Sequence, residues 1–378
     1  MKHSVLVGTR KGAWTIDSSN QRRDWRIQGP RHLGAVISHY VGDPRREGYQ
    51  LMSVGSGHLG PSIFVSMDHG ENWVEATKPP AFSPAPEGEP RTVDHVFWLT
   101  PGHASEPDVW YAGTSPHGLF KSVDGGNHWD EVLGFNHHPD GFEWRGGDKD
   151  GTPDGPKLHS ILVDPADKCH LLIGMSGGGI FESFDEGANW EPLNKGVAMD
   201  FYPPKEDGSE YAFGHDPHCL VMHPEFSNRL YHQNHCGLYA LDRAKGDRWS
   251  RIGDNLPREV GDIGFPIVVH PRDPETIWVF PMDGSGQWPR VCPQGKPAVY
   301  RSRDGGQTFE CQNQGFPAEQ AWWSVKRQCM AVDNDEQVGV YIGTANGELW
   351  ASFDEGDSWQ LLARDLPQIY SVEVVTSP

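Results

Sequence analysis

Long apolar runs and basic charge are what this chain lacks most. Its longest aliphatic stretches are short, such as Ile267-Val268-Val269, against the roughly 18 residues needed to cross a bilayer as a helix, so no membrane partner is expected. Thirty-two Lys and Arg stand against 52 Asp and Glu, a formal net charge of −20. That field repels polyanions, and nucleic-acid binding depends on neutralising phosphates, so no nucleic-acid partner is expected either. Cysteine is scarce: six residues, at 169, 219, 236, 292, 311 and 329, with no metal-ligand spacing. This excludes a disulfide scaffold or a zinc knuckle and favours reduced thiols. The segment Met1 to Gly8 enters a strand pattern at once and offers no apolar signal core, so a cytoplasmic location is expected. Composition says nothing about oligomeric state.

Turn formers and aromatics are abundant. Forty-five Gly, 31 Pro, 15 Trp and 16 Phe describe an all-β chain of short strands rather than a disordered one. A repeat organises them. Ser-x-Asp-x-Gly-x-x-Trp/Phe occurs at Ser66/Asp68/Gly70/Trp73, Ser122/Asp124/Gly126/Trp129, Ser183/Asp185/Gly187/Trp190, Ser302/Asp304/Gly306/Phe309 and Ser352/Asp354/Gly356/Trp359. Weaker copies stand at Asp17/Trp25 and at Asp242/Gly246/Trp249. The carboxylate can accept backbone N–H bonds across a tight hairpin, the glycine can take positive φ, and the aromatic can pack under the turn.

These residues resemble the Asp-box motif of BNR-repeat propellers, a group that includes sialidases, sortilin-type receptors and photosystem assembly factors. The resemblance implies an all-β, single seven-bladed β-propeller over residues 1–378, with four-stranded blades and structural rather than catalytic box aspartates. Each box follows three strand-like runs, so a blade reads A, B, C, box, D. The chain starts on a B-like strand and ends on an unpartnered A-like strand, Ile369 to Val375. The C-terminal strand is therefore expected to join blade 1 and close the ring, removing exposed sheet edges.

Insertions separate the two faces of such a ring. The long segments 82–91, 136–157, 197–216 and 281–297 are all D–A connections or B–C turns, which share one face, and binding residues gather on long loops over a rigid scaffold. Aligning the A strands places Ser38, His95, His159, His218, Phe265 and Gln328 at one register. Neutral imidazoles from several blades suit a divalent transition metal, Zn, Mn or Fe. The expected ligands are His95, His159 and His218, with His235 or Gln328 completing the shell. His117, His58 and Tyr202 are the expected proton-transfer groups. Equally, these histidines can be polar strand ends bonded to neighbouring loops. Arg10, Lys11, Arg91 and Arg145 on this face can clamp an anionic substrate, and Trp144 and Tyr211 can stack on a sugar ring, or all can serve their loops alone. The inserts 136–157 and 197–216 are expected to meet as a partial lid.

Three functions follow. The first is a metal-dependent lyase or hydrolase acting on a small or oligomeric, carbohydrate-like and possibly anionic substrate. The second is a sialidase-like glycoside hydrolase. The sialidase Phe/Tyr-Arg-Ile-Pro segment is absent, however, and the nearest string, Trp25-Arg26-Ile27-Gln28, departs from it at two positions. The third is a non-enzymatic binding or assembly propeller, for which a His-rich mouth is not required.

Overall fold

The computed structural model describes residues 2–18, 21–57, 60–84, 91–145, 155–284, 287 and 289–377. Within them the chain forms seven four-stranded antiparallel sheets. The A strands of blades 1 to 7 are Ile369–Ser377, Val36–Gly42, His95–Pro101, Leu158–Asp164, Pro217–Met222, Gly264–Val269 and Met330–Val332. Each packs against the A strand of the next blade, and Met330–Val332 meets Ile369–Ser377 to complete the circle. This is the expected seven-bladed propeller. Its closure is also as expected: Ile369–Ser377 pairs antiparallel with Lys2–Thr9, Val374 opposite Val5 and Val372 opposite Val7.

Because each blade is sandwiched between two others, its inner strands bury both faces and read as continuous apolar runs rather than as an alternation. Val5, Leu6 and Val7 are all fully buried. The apolar cores accordingly lie between blades. Leu51, Val65, Trp110 and Trp129 fill the seam between blades 2 and 3, and Leu172, Ile180, Tyr239 and Trp249 fill that between blades 4 and 5. Each indole buries on the order of 200 Å², which makes the tryptophans the chief contributors to seam packing.

The box turns repeat one geometry. In blade 2 the Ser66 hydroxyl donates to Asp68 Oδ1 and accepts from Gly70 N–H, each at 2.9 Å. Asn72 N–H donates to Asp68 Oδ1 and the Trp73 indole to the Gly70 carbonyl, again at 2.9 Å. The serine and aspartate bonds recur around Asp124, Asp185, Asp304 and Asp354. Gly70 has φ +81°, and a Cβ there would sit 2.8 Å from Gln50 Oε1, so the turn requires glycine. Blade 5 departs from the pattern: Asp242 pairs with Lys245, and the Trp249 indole crosses to the Leu193 carbonyl of blade 4.

A second device ties blades together near the axis. Several A strands carry a bulge whose side chain bonds the next A strand. His39 Nδ1 accepts from Leu99 N–H, Ser160 Oγ accepts from Leu220 N–H, and Cys219 Sγ donates to the Ile267 carbonyl. Ser160 has φ +50°, the local distortion that turns consecutive side chains, His159 and Ser160, towards the ring interior. All six cysteines are free thiols. Among the described residues no helix is long and apolar enough to cross a membrane.

Candidate functional site

The shared register first makes staples. In blade 4, His159 Nε2 donates to the Pro217 carbonyl of blade 5 at 3.0 Å, while its Nδ1 faces the Ser160 hydroxyl at 2.9 Å. Both ring nitrogens are engaged and the side chain is fully buried. Burial first, and then the nearby Arg327 charge, hold His159 well below the usual imidazole range, so the ring is neutral. In blade 5, His218 Nδ1 makes the equivalent bond to the Gly264 carbonyl of blade 6 at 2.5 Å. The second nitrogen of that ring meets something different.

Asp216, two residues upstream of His218 in the D–A segment, places its Oδ2 3.5 Å from His218 Nε2 and 3.7 Å from His235 Nδ1. The three atoms lie within 4.8 Å of one another. His235 comes from the B–C turn of the same blade, and its backbone N–H donates to the Asp216 carbonyl at 2.9 Å. A carbonyl only accepts, so His218 Nδ1 carries a proton, and the ring turns its other nitrogen, Nε2, on Asp216. Asp216 Oδ1 is buried without a hydrogen-bond partner. Converging acceptors of this kind need a cation between them, a proton or a metal. A tetrahedral ion with bonds of about 2.0–2.2 Å has ligand edges of about 3.4 Å, close to the two distances observed.

The electrostatics suit coordination. Burial pushes the Asp216 carboxyl up, but the hydrogen bond and charge of His218, with Arg327 and His235, outweigh it and hold the group well below the carboxylate range. Burial, helped by His218 and opposed by Asp216, lowers His235. Near neutral pH the site therefore offers a carboxylate and a neutral imidazole. Its backbone Nδ1–H···O=C staple is the orienting bond that metal-binding histidines ordinarily make.

Around this triad lie aromatics and cations. Phe265 packs on His218 at 4.5 Å between ring centroids, and Phe201 meets His235 edge-on at 5.9 Å. Phe201, Tyr202 and Tyr211 form an aromatic patch, with neighbouring centroids 5.2 and 5.7 Å apart. Arg327, from the D–A segment of blade 7, reaches across the ring to Ser176 Oγ of blade 4 at 3.4 Å and lies over Phe97 and Phe265.

Several expectations are corrected. His95, His159 and His218 do not converge on one point among the described residues: His159 is saturated by hydrogen bonds, and His95 pairs with Asp94 at 2.7 Å. The Gln328 amide is engaged elsewhere, donating to the Phe97 carbonyl at 2.7 Å. Of the expected ligands, His218 and His235 come together. His117 is buried and bonded to the Ser176 carbonyl at 2.8 Å, and burial lowers its pKa to about 3. It belongs to the seam between blades 3 and 4 and does not meet solvent as a proton carrier. His58 lies outside the described residues. Trp144 is buried, stacked on His138 at 3.9 Å and tilted on Phe181 at 4.5 Å, which makes it a core anchor rather than a sugar platform. Tyr202 is half exposed but reaches the triad only through Phe201. Tyr211 donates its hydroxyl to the Pro203 carbonyl at 2.8 Å and keeps a ring face in the patch.

The basic residues divide. Arg10 and Lys11 are exposed on the B–C turn of blade 1. Arg91 lies over Phe82 at 3.9 Å and donates to the His117 carbonyl, and Arg145 is half-buried beside it, lowered mainly by burial. Trp25–Arg31 is strand D of blade 1, the outermost strand of its sheet, so Arg26 stands far from the axis and cannot take a sialidase-type role there. In the described parts of the inserts, Trp144 and Phe213 both pack on the blade-3 and blade-4 core, and Gly214 N–H donates to the Gly178 carbonyl in the B–C turn of blade 4.

Asp216, Phe201 and Arg327 were not expected from the sequence. An Asp-x-His pair that runs into the start of an A strand is the one signal that points to Asp216. No spacing rule reaches Arg327, whose partners Ser176 and Phe97 are more than a hundred residues away.

No family model matches the chain. It is similar to a probable oligoxyloglucan-reducing end-specific xyloglucanase of Neosartorya fischeri, 23% identical over 279 residues, a match covering 67% of this chain and 30% of that protein. It superposes on a GH74 xyloglucanase from Xanthomonas campestris with a TM-score of 0.66 and 18% identity, over 95% of this chain and 52% of that one. A putative 6-phosphogluconolactonase from Bacteroides fragilis aligns with a TM-score of 0.55 and 12% identity, over 99% and 98% of the two chains. The chain thus spans less than a third of the curated relative and about half of the xyloglucanase structure. At these identities the likeness defines a seven-bladed propeller resembling those of GH74 xyloglucanases.

Proposed function

We propose that the chain is a metal-dependent hydrolase acting on a carbohydrate at the mouth of the propeller. The carrying observation is the Asp216 carboxylate, set at 3.5 and 3.7 Å from two imidazole nitrogens, one of them oriented by the Gly264 carbonyl. Asp216, His218 and His235 would hold the ion. A Zn, Mn or Fe ion held by three protein ligands supplies a polarised water or carbonyl at neutral pH. The exposed Phe201 and Tyr202 rings beside His235 present apolar faces of the kind that stack on a sugar ring, and Phe97 and Phe265 floor the mouth. The similarity to xyloglucan-acting proteins supports the carbohydrate class and favours hydrolysis over elimination.

The test is turnover of a polysaccharide panel that includes xyloglucan, with new reducing ends counted and unsaturated products monitored separately. Reducing ends without unsaturation are expected, lost in chelator, restored by one divalent ion and absent in His218→Ala. Full turnover by metal-depleted protein would overturn the metal reading, and unsaturated products would replace hydrolase with lyase.

A further inference from the structure

We propose that the face opposite the mouth carries a separate binding site for a neutral pyranose, set in the seam between blades 4 and 5 and lined by Phe184, Ser227, Asn228 and Arg243. It goes beyond the reaction at the mouth and needs no metal. In blades 3, 4 and 7 the box glycine abuts the blade before it: a Cβ would sit 2.8 Å from Leu51 at Gly126, 2.8 Å from Val132 at Gly187 and 3.2 Å from the Trp278 indole at Gly356. Blade 5 lacks the box aspartate, Ala244 standing in its place, and a Cβ on its Gly246 would meet nothing within 4 Å. Arg243 N–H ties this turn to the A–B turn of its own blade, donating to the Asn228 carbonyl at 2.8 Å. Between the turn and blade 4 lies a recess of about 490 Å³ whose lining also includes Asp164 and His170. That volume falls within the range of about 300–1,000 Å³ of small-molecule sites.

The charges around the recess are matched within the protein. Glu182 meets Arg243 at 2.9 Å through one oxygen and His170 at 2.9 Å through the other, Asp164 holds the second His170 nitrogen at 2.8 Å, and Asp247 meets Lys195 at 2.6 Å. Burial lowers His170, but the bonds from Glu182 and Asp164 outweigh it and raise the group, so a protonated imidazole balances the second carboxylate. An ionic ligand would have to compete with one of these pairs, and a neutral one does not. The neutral contacts are those of a sugar. Phe184 lies flat on His170, 4.6 Å between centroids and 9° between planes, with 61% of the residue exposed. One ring face is therefore backed and the other is open to the C–H face of a pyranose. Among the described residues the Ser227 and Asn228 side chains make no hydrogen bond; an amide both donates and accepts, the pattern that adjacent hydroxyls match. The ion-pair chain beneath fixes Phe184 and Arg243 beforehand, so little ordering is lost when a sugar docks.

Methyl β-D-glucoside, methyl β-D-glucuronide and glucosamine, titrated by ligand-observed NMR, test the ligand class. Wild type is expected to prefer the neutral glucoside to both charged sugars by about 10-fold. Phe184→Ala is expected to weaken glucoside binding by about 10-fold, and Asn228→Ala, which changes an exposed side chain without partners, by about 5-fold with an unchanged melt. Hydrogen exchange with and without cellotetraose locates the site: slower exchange is expected at residues 226–228 and 243–247. The site is overturned by equal or stronger binding of either charged sugar, by failure to bind the glucoside, by an affinity that survives both substitutions, or by protection confined to residues 199–202. Protection at 199–202 reports the mouth, so the two readings stand apart. Protection on the box face alone keeps this site and removes the mouth as a sugar site; protection at the mouth alone does the reverse.

Discussion

Blades 4 and 5 present the same residue at the same register and do different things with it. His159 and His218 each bond a carbonyl on the next A strand, so each staples its blade to its neighbour. Their other nitrogens part company: His159 faces Ser160, which satisfies it, and His218 faces Asp216 and His235, which do not. One hydroxyl exchanged for a carboxylate and an imidazole separates a staple from a candidate metal centre. A shared register fixes where a side chain stands, and its second neighbour decides its chemistry.

The comparison presumes a closed ring, and the largest expected effect comes from opening it. Deleting residues 369–377 removes the strand paired with Lys2–Thr9 and the buried Ile369 and Val372. That loss is on the scale of a domain's whole stability of about 5–15 kcal/mol. No cooperative melt by circular dichroism is expected; an unchanged melting temperature would mean that blade 1 does not need its fourth strand.

His159→Ala is expected to cost about 2–4 kcal/mol, from a cavity and from the unpaired Ser160 and Pro217 groups, while metal content stays unchanged. Denaturant unfolding with parallel metal analysis checks both halves. Loss of metal in this variant would erase the distinction between the blades.

Acid sharpens the contrast between seams and boxes. His117 has its folded pKa lowered to about 3 from 6.5 by burial. A depressed folded value means stability that is present above pH 6.5 and lost as pH falls towards 3, because the unfolded chain takes up the proton first. Asp68, lowered to about 2 from 3.8 by the Asn72 backbone bond and its companions, contributes stability that is fully present above about pH 4 and is lost only as pH falls from there towards 2, by the same sign. Melting temperatures are therefore expected to begin falling below about pH 6.5, and His117→Gln should make the part above pH 4 less steep. A flat profile down to pH 4 in the wild type would contradict the buried neutral imidazole.

The smallest effect belongs to the boxes. Asp185→Ala removes the bonds to Ser183 and Asn189 and is expected to cost about 1 kcal/mol, with turnover intact. A fall in turnover by folded protein would bring the opposite face into the mechanism.

What was legible in the sequence follows from range. Ser183, Asp185, Gly187 and Trp190 act within one hairpin, so their spacing carries the whole geometry, and five such turns with three strands before each define the propeller. The closing strand was legible because Ile369 to Val375 alternates without a partner of its own. The histidine register was legible as a position. Its role was not, since His159 is saturated by Ser160 only through a backbone distortion at φ +50°, and a bulge of that kind leaves no mark in composition. Trp144 misled for a similar reason: an aromatic in an insert folds back onto Phe181 when the seam beneath it has room. Asp216 was within reach, two residues from His218. Arg327 was not, because it meets blades 3 and 4 across the axis as well as the neighbouring blade 6.

The most direct test is X-ray absorption spectroscopy, with metal quantification, on protein purified without an affinity tag. One first-row ion per chain is expected, with nitrogen and oxygen ligands near 2.0–2.2 Å, two of them imidazoles. The ion should be lost in Asp216→Asn and retained in His159→Ala. No stoichiometric ion after reconstitution with Zn, Mn and Fe, or an ion indifferent to Asp216→Asn, would contradict the account.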